Sequence, residues 1–258
     1  MARTATVNYH VHKIEQQAFE LEAGGIEGNL ISPELVATQV ALTDVRDGSN
    51  PPRFARDAVE FVELPTEVRD FAANTWRETY DAELTGLLTE RLGTREVVIF
   101  DHTVRVDDPH ATRKPARNVH SDYSEVGAQR RLVDLLGRER AAEWRKGHFA
   151  FINVWRPVDA PINSAPLGFV QPASVDDADW VLLDLIYPDR KGQIMGLVGS
   201  ERHIWLYQSK MTPDEVVFFN IYDNRGLPSI AHSALDMVED PTVTTMRKSI
   251  ESRALVRY

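Results

Sequence analysis

Two histidines and an aspartate in this chain have the types and the spacing to hold one metal ion. His120-Ser121-Asp122 places an imidazole and a carboxylate two positions apart, and on a strand that spacing points both side chains to one face. His232, far downstream, supplies the third donor, which a different strand must bring. Two histidines and one carboxylate bind Fe(II) on one side and leave coordination positions open on the other. The chain has no cysteine, so disulfides and thiolate metal sites are excluded, and any metal must be held by His, Asp or Glu. An isolated His-x-Asp arises often by chance; residues further along the chain sharpen this one.

Arg247 follows His232 by fifteen residues, and Ser249 shares its strand face two positions later. A guanidinium suits the far carboxylate of a bidentate co-substrate, because its planar fork makes two parallel charge-assisted hydrogen bonds and its charge does not titrate away. His120, Asp122 and His232 are therefore the expected metal ligands and catalytic centre, with Arg247 and Ser249 as the co-substrate anchor. Arg253 is a rival on the same alternating face, expected instead to pair with Glu251 or to support the site from below. Asn153 shares a period-two face with Phe149, Phe151 and Trp155. A lone amide among aromatics there is expected to meet the co-substrate head or the substrate, with a strand-end backbone cap as the equal alternative. Tyr207 is a candidate second donor to the carboxylate held by Arg247, although a core role is the more ordinary one. Trp155, Arg156 and Tyr123 are candidate substrate contacts; strict alternation turns Arg156 away from the site. His10-Val11-His12 has the same spacing but no partner pattern and reads as an ordinary strand pair. His102, His110, His148 and His203 read as structural or solvated.

Strands must present these groups, and the pattern supplies them. Strand-like segments occur at Leu35–Leu42, Ala58–Leu64 and Val97–Val106. They recur at Phe149–Trp155, Leu167–Val170, Trp180–Tyr187, Gln193–Val198, His203–Tyr207, Glu215–Tyr222 and Ile250–Arg257. Between them lie two helical patterns. One opens at Pro65-Thr66 and runs to about Leu92, where Gly93 stops it; the other spans about Glu125–Lys146. Short strands punctuated by Pro, Gly and Asp predict a mainly β fold with flanking helices around a double-stranded β-helix, a cupin-like jelly roll. The expected organisation is one domain over 1–258, with an α/β part at about 1–115 packed on a jelly roll at about 116–258. At 258 residues such a core needs no covalent staple.

A net charge of −10 with no cationic stripe argues against nucleic acid as a partner. No apolar run approaches the roughly 20 residues that cross a bilayer, and no secretory signal opens the chain. A cytoplasmic location and a small-molecule partner are expected; the oligomeric state is left open, a homodimer included.

Further segments carry a family likeness. Asn153-Val154-Trp155-Arg156-Pro157, Pro161, Pro166-Leu167, His203-x-Trp205-x-Tyr207, Met211-Thr212-Pro213-Asp214-Glu215-Val216, Tyr222-Asp223 and Arg247-x-Ser249-Ile250-Glu251-x-Arg253 occur in order. They resemble the AsaB-like hydroxylase/desaturases of fungi and bacteria, related to a cephamycin methoxylation component and to gibberellin desaturases. The likeness runs from about His120 to the end. Gln171-Pro172, Asn220, Asn224 and Leu235 stand where that family's pattern has other residues, which bears on substrate rather than chemistry. The resemblance implies an Fe(II)/2-oxoglutarate-dependent oxygenase that uses O2 to hydroxylate, desaturate or cyclise a small natural-product or amino-acid-derived substrate. Two alternatives stay open: an iron oxygenase that needs no 2-oxoglutarate, and an accessory metal-binding jelly roll without turnover.

Overall fold

The structure, a computed structural model, describes residues 3–22, 25–26, 33–48, 50–73, 75–187 and 191–258. Its strands are β1 (Arg3–His10), β2 (Gln17–Glu22), β3 (Gly25–Ile26), β4 (Leu35–Asp44), β5 (Val59–Glu63), β6 (Glu96–Val106), β7 (His120–Ser121) and β8 (Phe149–Pro157). They continue with β9 (Leu167–Val170), β10 (Trp180–Ile186), β11 (Lys191–Leu197), β12 (Trp205–Tyr207), β13 (Glu215–Asp223), β14 (His232–Ala234) and β15 (Lys248–Arg257). The helices are α1 (Phe54–Asp57), α2 (Arg77–Leu92) and α3 (Glu125–Arg145).

The larger sheet has the order β1-β4-β12-β9-β14-β7-β11-β10-β2-β3, and the smaller one β5-β13-β8-β15-β6. They face each other across an apolar core: the Phe169 ring of β9 lies 5.9 Å from Phe61 of β5 and 5.0 Å from Phe219 of β13. β8, β13 and β15 are almost wholly buried because the smaller sheet is covered twice. One of its faces meets the larger sheet. The other packs Ala150, Ile152 and Val154 under Tyr80, Leu84 and Leu88 of α2. This is the double-stranded β-helix that the strand pattern predicts.

Three expectations change. Strands from the first 115 residues are built into both sheets, with β1 and β4 in one and β5 and β6 in the other. An N-terminal part packed on a separate C-terminal jelly roll therefore does not describe the architecture: the backbone groups of β12, β13 and β15 need partners from the early chain. The helix expected from Pro65-Thr66 begins only at Arg77. Before it, Thr66 Oγ1 accepts from the Val68 amide and Asp70 Oδ1 from the Ala72 amide, while Glu83 holds both the Thr66 hydroxyl and the Glu67 amide. Such short side-chain-to-backbone bonds compete with helix formation. In α3, Gly137 adopts φ 74° and ψ 164° and breaks the run into two helical pieces, a conformation that disfavours any residue with a Cβ.

One close approach bears on the site. Gly196 of β11 lies opposite His120 of β7, and a Cβ on it would stand 2.5 Å from Cδ2 of His10 and 2.9 Å from Leu183. Gly196→Ala is expected to destabilise the fold by about 1–3 kcal/mol through overpacking. The denaturant midpoint checks this; an unchanged midpoint would mean that β1 withdraws without penalty.

Candidate metal centre and co-substrate cradle

The triad is assembled by strand pairing. His232 of β14 is the register partner of His120 of β7, and their ring centroids lie 4.5 Å apart. Asp122 follows directly as the chain leaves β7 for α3, whose start is pinned by Ser124: its hydroxyl caps the Gly127 amide at 3.0 Å and reaches Gln193 at 2.7 Å. Both rings are oriented by the backbone. Nδ1 of His120 lies 2.8 Å from the Asn118 carbonyl, and Nδ1 of His232 lies 3.3 Å from that of Ile230. With Nδ1–H donated in each ring, both Nε2 atoms keep a free lone pair. They stand 3.4 and 3.8 Å from the same atom, Oδ1 of Asp122. Among the described residues this is the one His/Asp/Glu trio whose donor atoms all lie within 4.8 Å of one another.

The other carboxylate oxygen is committed elsewhere. Oδ2 of Asp122 accepts from Asn153 Nδ2 at 3.0 Å and from Arg253 Nε at 2.9 Å, so one oxygen is tied down while the other faces the two imidazoles. Burial opposes ionisation of Asp122, but the Arg253 guanidinium holds its carboxyl well below the usual range. Burial, reinforced by His120, pushes His232 down to about 4, which keeps the ring neutral as a metal ligand must be. Partners of this kind set the orientation and basicity of metal ligands. Asn153→Ala is accordingly expected to weaken Fe(II) binding roughly 10–100-fold, as read by anaerobic metal titration; an unchanged affinity would make the amide a bystander.

Arg253 and Arg247 turn out to be opposites. Arg253 is saturated by carboxylates, with Asp101 at 2.6 Å and Glu251 at 2.5 Å besides Asp122. It supports the metal site, as its alternating position suggests. Arg247 is 3% exposed, yet among the described residues its Nε and Nη1 have no hydrogen-bond partner. Its guanidinium lies over the Trp155 ring, 5.4 Å from the centroid. Burial, helped by Arg105, pushes it down to about 9. Ser249 is fully buried with an equally unpartnered hydroxyl. Buried polar groups in folded proteins are almost always satisfied. A guanidinium and a hydroxyl left open on one strand face are complementary to a carboxylate, and that fits a 2-oxo acid.

The remaining candidates sort by sheet face. Asn153 commits its Nδ2 to Asp122, while among the described residues its Oδ1 is buried without a partner. Trp155 is buried, with the Arg247 guanidinium over its ring. Arg156 points to the α2 side, where it donates to the carbonyls of Leu64 and Pro213 and lies over Tyr80, so its substrate role is withdrawn. Tyr207 accepts from Arg3 at 2.6 Å within the cluster behind the larger sheet, away from Arg247. The Trp205–Tyr207 alternation decides this: both rings face Tyr9 and Val7 rather than the inter-sheet core. Tyr123 lines a cavity of about 400 Å3 that opens onto His120 and Asp122.

Two supporting residues had no signal of their own. The Asn118 carbonyl orients His120, and a carbonyl's direction leaves no trace in residue type. His10, read as an ordinary strand residue, is buried, and its Nε2 lies 3.3 Å from Asn118 Nδ2, linking it to the His120 support. Burial, with a contribution from His120, pushes His10 down to about 4. Both His10 and His232 titrate near 6.5 when unfolded, so between 6.5 and 4 the unfolded chain binds more protons. Stability of the metal-free protein is therefore expected to be complete above about pH 6.5 and to fall as pH drops toward 4. Denaturant midpoints across that window check it, and a flat profile would show the rings to be solvated.

Comparison with known proteins gives these features a family. A family profile described as oxidoreductase/YMDC permease-like domain matches residues 7–257. The hydroxylase/desaturase efuI of Hormonema carpetanum is 30% identical over 247 residues, covering 84% of this chain and 82% of its own length. The chain is a member of this hydroxylase/desaturase family. The alpha-ketoglutarate-dependent dioxygenase tstK of Talaromyces stipitatus is 27% identical over 201 residues and 70% of each chain. A solved structure of the iron and alpha-ketoglutarate-dependent endoperoxidase NvfI superposes with a TM-score of 0.88 at 23% identity, covering 99% of this chain and 97% of the other. The expected double-stranded β-helix and the expected family are thus both borne out. Among the described residues of this hydroxylase/desaturase no helix is long and apolar enough to cross a membrane.

Proposed function

We infer that this hydroxylase/desaturase is a non-haem Fe(II)/2-oxoglutarate-dependent oxygenase acting on a small natural-product or amino-acid-derived molecule. The observation that carries the reading is the pairing of a convergent donor trio with a buried, unpartnered Arg247 and Ser249 on the smaller sheet. His120 Nε2, His232 Nε2 and Asp122 Oδ1 would hold the iron; Arg247 and Ser249 would take the distal carboxylate of 2-oxoglutarate. Iron, 2-oxoglutarate and O2 together supply an oxidant for a C–H bond, with 2-oxoglutarate ending as succinate and carbon dioxide. The protein's own part is positional. Asn153 and Arg253 keep Asp122 ionised and turned, the carbonyls of Asn118 and Ile230 orient both imidazoles, and Trp155 supports the guanidinium. The apolar inter-sheet core, with Phe151, Phe169 and Phe219, limits water at the reaction centre.

A site without 2-oxoglutarate would leave Arg247 and Ser249 buried for no partner, and an accessory role would leave the whole constellation unused. Anaerobic addition of Fe(II) and 2-oxoglutarate is expected to give a weak visible charge-transfer band. Air with a turnover substrate is then expected to release succinate. Oxygen uptake that does not depend on a 2-oxo acid would overturn the co-substrate assignment.

A further inference from the structure

The cavity beside the metal ligands carries the opposite charge to the protein around it. The chain's net charge is −10, yet Arg105, Arg113, Arg130, Arg131 and Lys191 all line this space, as does Arg253. Its carboxylates are Asp101, Asp122 and Asp134. Arg253 is already bound to the first two, so only Asp134, exposed on α3, is left to offset five cations. Those five are weakly engaged. Arg105 donates to the Lys114 carbonyl and stands 4.0 Å from Glu251; Arg130 donates to the Lys191 carbonyl. Among the described residues Arg113, Arg131 and Lys191 have no carboxylate partner. Arg131 is half-buried and lies over the Phe100 ring at 5.0 Å, with Tyr123 lining the same cavity. That places a guanidinium on an aromatic wall, next to the residue that follows the Asp ligand.

Capture of 2-oxoglutarate does not account for this set. Its charges are met by the metal and by Arg247 with Ser249, whereas Arg130, Arg131 and Lys191 sit on α3 and β11 and line a cavity whose wall includes neither Arg247 nor Ser249. Clustered unpaired cations around a concave site raise the local concentration of anions, and a guanidinium fork on an aromatic wall grips an oxyanion directionally. Resting on the oxygenase reading above, we propose that the substrate is a small organic anion, with a carboxylate or sulfonate-like group on Arg131 and its apolar body against Phe100 and Tyr123. The rim cations Arg113, Arg130 and Lys191 draw it in.

Two fluorescent probes that share one aromatic frame test this: 1-anilinonaphthalene-8-sulfonate and its uncharged counterpart N-phenyl-1-naphthylamine. Both are titrated into the protein with Fe(II) and saturating 2-oxoglutarate under anaerobic conditions. The sulfonate is expected to bind at least about tenfold tighter than the amine, as charge-assisted hydrogen bonds allow. Arg131→Gln is expected to lower sulfonate affinity about tenfold while leaving the amine and the Fe(II)/2-oxoglutarate band unchanged. Equal affinities, no sulfonate binding, or an Arg131→Gln protein that binds it as before would each overturn the proposal. Competitive displacement of the sulfonate by 2-oxoglutarate would also overturn it, assigning the cations to co-substrate capture. The charge-transfer band is read in the same samples, so failure of the iron reading and failure of the anion reading are scored separately.

Discussion

Asp122→Ala is expected to eliminate substrate-dependent succinate release and to weaken Fe(II) binding by more than about 100-fold, because even the hydrogen-bond partners of metal ligands are worth roughly 10–100-fold. The reason is specific to this site. Oδ1 of Asp122 is the atom toward which both histidine Nε2 atoms converge, so its loss removes both the anionic donor and the vertex of the trio. The fold is expected to survive. Arg253 keeps Asp101 and Glu251 as partners, so no buried cation is stranded. Anaerobic iron titration, succinate analysis and a thermal melt on the same preparation separate these outcomes. Full turnover in this variant would sink the triad; loss of the cooperative melt would show that Asp122 serves the core first.

How much of this was legible in the sequence follows from what a linear pattern encodes. The period of two placed Arg247, Ser249, Glu251 and Arg253 on one face; β15 presents the last three at alternating positions, and Arg247 directly precedes it. It also turned Arg156 away from the site, as observed. The same rule reports the face but not which body lies against it. Tyr207 is therefore buried as expected of a core tyrosine, yet behind the larger sheet, and Trp155 lies under Arg247. Spacing favoured Arg247 over Arg253, but it carried no reason for the difference, which depends on the carboxylates that arrive from elsewhere. Asp101 from β6 and Asp122 from the end of β7 reach Arg253, and none bonds to Arg247. The β-rich core was legible because buried strands leave long apolar runs. The start of α2 was not, because Thr66, Asp70 and Glu83 spend their side chains on local backbone and override a helical periodicity.

Arg247→Leu is expected to raise the 2-oxoglutarate requirement about 30-fold or more while leaving the fold as stable or more so. The two halves of that expectation come from one fact: the guanidinium is buried without a carboxylate. Before the co-substrate arrives, burial disfavours the charge, as its fall to about 9 reflects, and an apolar residue removes that penalty. Once a carboxylate docks, the same desolvation makes the pair strong. Truncating one member of a buried, hydrogen-bonded charge pair typically costs 2–5 kcal/mol, or about 30-fold and upward. An ordinary structural arginine behaves in the reverse way, with stability falling and co-substrate dependence untouched. Fe(II) binding in the absence of 2-oxoglutarate is expected to stay constant, since Arg247 bonds to none of the triad. Arg247→Lys is not a mild change at this position, because an ammonium neither stacks flat on Trp155 nor offers a two-pronged grip. Titration of 2-oxoglutarate against the charge-transfer band, with a denaturant midpoint beside it, reads both halves. A lowered midpoint with unchanged co-substrate affinity would move the anchor off Arg247 and leave its open nitrogens to another ligand.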